Sequence, residues 1–128
     1  MMVANDSKKT VLIVDDSASL RQVVHIALAN AGYEVVEAAD GNEGLARLDG
    51  RRIHLIISDV NMPNMDGISF VKAVKQLPEY RFTPIIMLTT EAHEDKKIEG
   101  QMAGAKAWVV KPFQPEQVLR AVAKLILP

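Results

Sequence analysis

The sequence predicts an α/β fold, with a single doubly wound sheet of five parallel strands and helices on both faces. Five short apolar runs alternate with helical patterns along 128 residues, which is the length of one domain. Most of the runs are continuously apolar, which is typical of strands buried on both faces. Because crossovers between parallel strands are right-handed, the helices should cover both faces of the sheet.

The five predicted strands are recognised by their apolar residues. In chain order they are centred on Val11–Val14, Val35–Val36, Leu55–Ile57, Ile85–Leu88 and Trp108–Val110. The second strand ends in Ala38–Ala39 and adds no polar group directly after it, which is consistent with a peripheral strand.

Three of the intervening helices carry an apolar stripe with the α-helical period. The stripes consist of Leu20, Val23, Val24, Ala27 and Leu28 in the first, Phe70, Val71, Val74 and Leu77 in the third, and Val118, Leu119, Val122, Leu125 and Ile126 in the fifth. Helix boundaries are marked by C-terminal glycines at Gly32, Gly50 and Gly104, by a capping box of Asp40 with Glu43, and by Pro115 in the first turn of the last helix.

Composition excludes several classes of protein. A net charge of −1 gives no sign of nucleic-acid binding, and the absence of cysteine excludes disulfides and thiolate metal sites. No apolar run approaches the roughly 20 residues that span a bilayer, and the first residues do not resemble a signal peptide. We therefore expect a cytoplasmic protein without membrane insertion, with a flexible tail at residues 1–9 and one domain at residues 10–128.

Polar side chains follow four of the five strands. Asp15 and Asp16 come after the first strand, Asp59 after the third, Thr89 after the fourth and Lys111 after the fifth. The carboxyl ends of parallel strands lie at one edge of a sheet, where ligands bind in such folds. We therefore expect three carboxylates, a hydroxyl and an ammonium group to converge there.

Three neighbouring carboxylates need compensating positive charge. Two of them ~4 Å apart repel by about 4 kcal/mol at an effective dielectric constant of about 20. Lys111 supplies one charge, and a set of oxygen ligands favours Mg²⁺ for the rest. A carboxylate in such a site can attack phosphorus to form an aspartyl phosphate, with Lys111 and Thr89 contacting the phosphoryl oxygens. Taken singly, each of these residues could have a purely structural role, and Asp15–Asp16 could equally cap the helix that begins near Ser17.

Four segments carry a family resemblance. VLIVDDS (11–17), DVNMPNMDG (59–67), MLTTE (87–91) and VVKPF (109–113) resemble the signature segments of response-regulator receiver domains, in the family's order and at similar spacings. The resemblance covers residues 10–128, and the last two segments are most similar to stand-alone chemotaxis regulators of the CheY type. It implies a flavodoxin-like sheet with strand order 2-1-3-4-5.

The resemblance implies a metal-dependent phosphoacceptor site. Asp59 matches the phosphoacceptor, and Asp15 and Asp16 match the acidic pair that binds Mg²⁺ together with Asp59 and the backbone carbonyl of Asn61. Asn61 and Glu91 match positions that tune dephosphorylation.

The resemblance also implies a conformational switch. Thr89 matches the switch hydroxyl, and Lys111 matches the family's lysine, which a cis peptide bond joins to Pro112. Trp108 lies where the family usually has a switch tyrosine or phenylalanine, so the form of the conformational readout is expected to differ here.

The implied function is that of a single-domain response regulator in a two-component, chemotaxis-type phosphorelay. A sensor histidine kinase would phosphorylate it, and the surface of the fourth helix, fifth strand and fifth helix would bind a downstream protein, such as a flagellar motor switch component. We expect a monomer that catalyses only its own phosphorylation and dephosphorylation. A phosphorelay intermediate or a phosphate sink is the alternative within the family.

Three further functions compete with this one. A Mg²⁺-dependent aspartyl-phosphate phosphohydrolase usually has a second aspartate two residues after the nucleophile, where this chain has Asn61. A flavin-binding module would need a phosphate-binding loop where Asp15 and Asp16 would repel phosphate. A receiver that acts only as an unphosphorylated docking module is disfavoured by the complete set of site residues.

Overall fold

The computed structural model describes residues 8–90 and 94–128, with side chains from residue 97 onward in the second range. Strands and helices alternate in the order β1 (Thr10–Val14), α1 (Ala18–Asn30), β2 (Glu34–Ala38), α2 (Gly41–Arg47), β3 (Leu55–Asp59), α3 (Gly67–Lys75), β4 (Ile85–Thr89), α4 (Glu94–Ala103), β5 (Ala107–Val110) and α5 (Pro115–Leu125). No helix in this part of the chain is long and apolar enough to cross a membrane.

The five strands form one parallel sheet in the order β2-β1-β3-β4-β5, which confirms the predicted fold and the peripheral position of β2. Successive residues of each strand point to opposite faces. Leu12 and Val14 of β1 pack into a core cluster with α3, whereas Val11 and Ile13 pack into a second cluster with α1 and α5. Both faces of β1 are therefore buried, as its continuous apolar run predicts.

The prediction of a buried apolar stripe on α1 is wrong for one residue. Val23 is 48 % exposed, while Val24 and Leu28 of the same helix are buried. The helical period directs Val24 and Leu28 at the sheet, so Val23, one position earlier, lies on the flank of α1. There it lines a groove together with Pro112 and Phe113.

The predicted helix boundaries are largely confirmed. The Asp40 side chain accepts a hydrogen bond from the Glu43 backbone N–H, but the Glu43 carboxylate accepts from Ala39 instead of Asp40, so the capping box is incomplete. Helix α5 begins at Pro115. The three predicted C-terminal glycines all have positive φ angles, at Gly32, Gly50 and Gly104.

Most of the predicted tail lies outside the described residues, since residues 1–7 are not among them. The Lys9 carbonyl already accepts a hydrogen bond from the Glu34 backbone N–H, next to the first pair of the β1–β2 ladder. The ordered sheet therefore begins at the very end of the predicted tail.

The register of the sheet aligns the strand ends. Val14, the last residue of β1, pairs with Ser58 in β3, and Thr89, the last residue of β4, pairs with Val110 in β5. The polar residues that follow or end these strands are thus brought to the same edge of the sheet, where the candidate site lies.

His54 lies directly before β3, at the amino ends of the strands and so opposite the candidate site. It links β1 to β3. Its buried ring accepts a hydrogen bond at Nδ1 from the Thr10 backbone N–H (3.0 Å), and its Nε2 lies 3.0 Å from Arg52 Nε. Burial, followed by the positive charges of Arg52 and Lys9, lowers the pKa of His54. Both effects favour the neutral form of the ring in the folded state.

We expect His54 to make the protein less stable as the pH falls below about 6.5. The pKa of His54 is lower in the folded state, so the unfolded chain binds more protons in that range and folding stability decreases on acidification. His54→Gln should flatten the dependence of unfolding free energy on pH between pH 7.5 and 5.5. Because other groups titrate too, the measured quantity is the difference between the native and variant curves. Parallel curves would contradict the prediction.

Candidate functional site

Three carboxylates meet at the carboxyl edge of the sheet. One carboxylate oxygen from each of Asp15, Asp16 and Asp59 lies within 4.8 Å of the other two. Asp15 is fully buried and Asp59 is 5 % exposed, whereas Asp16 is open to solvent. The side chains therefore form a cluster that is closed on one side and accessible on the other.

Lys111 places a positive charge beside both buried carboxylates. Its Nζ lies 3.3 Å from Asp15 Oδ2 and 3.2 Å from Asp59 Oδ1. The residue follows β5, and its backbone N–H donates to the Thr89 carbonyl at 2.6 Å. The Lys111–Pro112 peptide bond is cis, as the resemblance implies.

The cluster remains short of positive charge. Burial, and then the negative charge of Asp15, raise the pKa of Asp59 to about 6, although Lys111 acts in the opposite direction. An additional cation would keep the carboxylate ionised. The available ligands are oxygen atoms, one carboxylate is open to water, and hard divalent ions such as Mg²⁺ favour this combination. The residues present therefore fit a magnesium ion.

Asp15 makes contacts beyond those of a helix cap. Ser17 is the N-cap of α1, and its hydroxyl accepts a hydrogen bond from the Leu20 backbone N–H. Asp15 Oδ1 accepts from the Ser17 backbone N–H at 2.8 Å, which leaves Oδ2 facing Lys111. Ser17 is therefore the residue that caps α1, and Asp15 Oδ1 supports this turn by accepting from the Ser17 N–H. Asp15 Oδ2 is left to contact Lys111 in the charged cluster.

The loop between β3 and α3 carries the predicted backbone ligand. Asn61 is exposed in this loop, two residues after Asp59. Asn64 adopts a left-handed conformation (φ +71°), and its side-chain amide donates to Asp40 Oδ2 at 3.0 Å. This bond joins the loop to the N-terminus of α2.

The predicted switch residues occupy two adjacent strands. Thr89 is 4 % exposed at the end of β4. On β5, the Trp108 indole contacts α4 so closely that a Cβ built on Gly100 would lie 2.3 Å from its Cζ2. The indole Nε1 is buried, with no hydrogen-bond partner among the described residues. Glu91 lies outside the described residues.

Two contacts of the site were not predicted from the sequence, although Gly67 ends the signature segment DVNMPNMDG. Arg21 donates from Nη1 to the Asp15 carbonyl at 2.6 Å and pairs with Glu37. Gly67 approaches the end of β3 so closely that a Cβ would lie 2.1 Å from the Asp59 carbonyl oxygen. Both contacts join residues on separate elements, which no local pattern indicates.

Comparison with known proteins places this geometry in a family. The sequence model of the response regulator receiver domain matches residues 11–123. The chain is 39 % identical to the chemotaxis protein CheY1 of Helicobacter pylori over 118 residues, which cover 91 % of this chain and 94 % of that protein. It also spans about half the length of several transcriptional regulators, 48 % of one from Pseudomonas aeruginosa and 49 % of one from Bacillus subtilis.

Solved structures of receiver domains and chemotaxis proteins are also similar to this chain. The chemotaxis protein CheY4 of Vibrio cholerae superposes with a TM-score of 0.90 at 53 % identity, covering 93 % of this chain and 99 % of that chain. A receiver domain of the Pseudomonas aeruginosa sensor histidine kinase PA1611 superposes with a TM-score of 0.85 at 26 % identity, covering 93 % and 98 %. That structure has a magnesium ion coordinated in the active site cleft.

Proposed function

The chain belongs to the response regulator receiver domain family, and we propose that it is a phosphoacceptor switch of a two-component pathway, with Asp59 as the acceptor. The observation that carries the proposal is the position of Asp59 Oδ1, 3.2 Å from Lys111 Nζ in a cluster of three carboxylates. A buried carboxylate whose pKa is raised makes the folded state less stable when it is ionised, and such groups are concentrated at functional sites.

In the proposed reaction, a carboxylate oxygen of Asp59 attacks the phosphorus of a phosphohistidine on a sensor kinase. An O–P bond forms, the P–N bond breaks, and its electron pair returns to the imidazole nitrogen. The Lys111 ammonium group and the Thr89 hydroxyl contact the phosphoryl oxygens, because phosphoryl transfer depends mainly on positioning and charge stabilisation.

We assign the metal ligands to Asp15, Asp16, Asp59 and the Asn61 carbonyl. When bound there, Mg²⁺ would neutralise charge on the carboxylates and on the phosphoryl oxygens. Asn61 and Glu91 would limit the access of water to the phosphoryl group and so set its lifetime. As in other receiver domains, the chain acts as a signalling domain and has no separate substrate to turn over.

The proposed output surface consists of α4, β5 and α5. Three large apolar residues are exposed on α4 and β5, namely Ile98 (55 %), Met102 (85 %) and Val110 (44 %). Such exposure favours a protein partner. Phosphorylation at Asp59 would draw Thr89 and Lys111 toward the phosphoryl group and shift an existing equilibrium of this surface, with Trp108 between the site and α4.

The proposed pathway is chemotaxis, in the cytoplasm. The support is that proteins matched over 94 % or more of their length, from Helicobacter pylori and Vibrio cholerae, are chemotaxis proteins. A flagellar motor switch component is accordingly the proposed partner of a monomeric protein, with a role as phosphorelay intermediate or phosphate sink as the alternative.

The test is the intact mass of the native chain after mixing with phosphoramidate, with Mg²⁺ or with EDTA. We expect one added phosphoryl group with Mg²⁺ and none with EDTA. Proteolysis and peptide mass measurement should locate the group on the peptide that contains Asp59. An adduct elsewhere, or no adduct although calorimetry detects Mg²⁺ binding, would contradict the proposal and favour an unphosphorylated docking module.

A further inference from the structure

We propose that Arg21 is a positioning residue for the metal site, and that it acts by joining the backbone of Asp15 to Glu37 on β2. This inference rests on the proposed function, because it assigns Arg21 to the Mg²⁺ site that phosphorylation of Asp59 requires. The hydrogen bonds of Arg21 go to the Asp15 backbone and to Glu37, and not to the carboxylates of the site.

Arg21 lies in the first turns of α1, between the acidic turn and the edge strand. Its Nη1 donates to the Asp15 carbonyl at 2.6 Å, and its Nε donates to Glu37 Oε1 at 2.9 Å. The side chain is 18 % exposed. The two bonds use different nitrogens of one planar guanidinium group, a geometry that a lysine ammonium group does not reproduce.

Asp15 is thereby held at its backbone and at its side chain. Its backbone N–H donates to the Ala38 carbonyl at 3.1 Å, its carbonyl accepts from Arg21, and its two carboxylate oxygens face the Ser17 N–H and Lys111. Among these bonds, the one from Arg21 fixes the carbonyl, which is the link to Asp16. Arg21 therefore restrains the segment that carries two of the three carboxylates.

Glu37 is itself firmly placed. Its Oε2 lies 2.5 Å from His25 Nδ1, and its backbone carbonyl accepts from Arg47 Nε at 3.0 Å. Burial opposes ionisation of Glu37, but hydrogen bonds from His25 and Arg21 outweigh it and lower the pKa of its carboxyl group. Glu37 is thus a charged anchor for Arg21 at neutral pH.

Restraint of this segment matters because its carboxylates repel Asp59. Without a bound metal ion, the exposed Asp16 can move away from the cluster at a lower energetic cost than buried Asp15 or Asp59. A fixed Asp15 carbonyl limits that movement, so the ligands need less rearrangement when a cation binds. Groups behind metal ligands commonly change affinity 10- to 100-fold when removed, whereas a partly exposed ion pair adds little to global stability.

The test compares Mg²⁺ affinity, by calorimetry, among the native chain, Arg21→Gln, Arg21→Lys and Glu37→Gln. Arg47→Gln is the matched control, because Arg47 also bonds Glu37 but through the backbone carbonyl. We expect Arg21→Gln to weaken Mg²⁺ binding about tenfold, Arg21→Lys and Glu37→Gln to weaken it less, and Arg47→Gln to leave it unchanged. The double variant Arg21→Gln/Glu37→Gln should match Arg21→Gln alone, since Glu37 acts through Arg21.

Urea unfolding of each variant and phosphorylation at saturating Mg²⁺ complete the experiment. A folded Arg21→Gln chain should regain most of its phosphorylation rate at high Mg²⁺, which a general loss of structure would not allow. Native affinity in Arg21→Gln, or an equal loss in Arg47→Gln, would overturn this inference and leave the proposed function standing. Failure of the native chain to bind Mg²⁺ would overturn both.

Discussion

Asp59→Asn is expected to take up no phosphoryl group from phosphoramidate and, in the absence of Mg²⁺, to be more stable than the native chain. The amide is similar in size to the carboxylate but is not a comparable nucleophile, so loss of the adduct should be complete. The gain in stability has a separate origin, which lies in the electrostatics of the folded state.

Burial and Asp15 raise the pKa of Asp59 from 3.8 to about 6, so the folded state disfavours its ionised form. The folded state binds more protons than the unfolded chain between these values, and stability falls as the pH rises through them. Two pKa units correspond to about 3 kcal/mol, which is an upper limit for the gain. We expect about 1–3 kcal/mol in urea unfolding at pH 7.5 with EDTA.

Added Mg²⁺ should reverse much of this difference. Binding of the proposed ion to the folded native chain would stabilise it by mass action, and Asp59→Asn should bind the ion more weakly. Asp40→Asn is the matched control, because hydrogen bonds from Glu43 and Asn64 lower the pKa of Asp40, and removing that charge should not stabilise the fold. If Asp59→Asn with EDTA were no more stable than the native chain, the electrostatic account of the site would be wrong.

Gly67→Ala is expected to destabilise the protein by about 3 kcal/mol or more and to impair phosphorylation. The new Cβ would lie 2.1 Å from the Asp59 carbonyl oxygen and 2.8 Å from Val60 Cα. Both are backbone atoms at the end of β3, which carries the proposed phosphoacceptor Asp59, so neither can rotate away as a side chain would. Helix α3 would have to separate from β3, and Asp59 would be displaced with the strand end.

Gly32→Ala separates the steric effect from the general loss of a glycine. Gly32 has a φ of +97°, and a Cβ there meets nothing within 4 Å. Its replacement should cost only the backbone strain of a left-handed residue, about 1–2 kcal/mol, with phosphorylation unchanged. Urea unfolding and intact-mass phosphorylation measure both quantities. Gly67→Ala with a cost no greater than that of Gly32→Ala would show that the close approach to β3 is not rigid.

The elements of the fold could be predicted because the signals are local. A continuous apolar run such as Leu55–Ile57 indicates a strand buried on both faces, and the spacing of Val118 and Val122 indicates one face of a helix. The parallel arrangement then brings the residues after the strands to one edge. The order of the strands came from the family resemblance, because apolar patterns are compatible with several orders.

Local patterns were less informative where a helix has two apolar flanks. The stripe of α1 included Val23, which is 48 % exposed, because residues 23 and 24 fit a helical period almost equally well. Only the packing of α1 on the sheet decides which of them is buried. In this packing Val24 faces the sheet, which leaves Val23 exposed.

The sequence by itself determined the class of fold, the edge of the sheet that carries the site, and the residue types that point to aspartyl phosphate chemistry. These follow from periodicity and from the charge of single residues. Only the tertiary structure decided that Lys111 lies between Asp15 and Asp59, that Gly67 must lack a side chain, and that Arg21 joins Asp15 to Glu37. Each of these depends on the distance between residues on different elements, which strand register and helix packing set and no local pattern records.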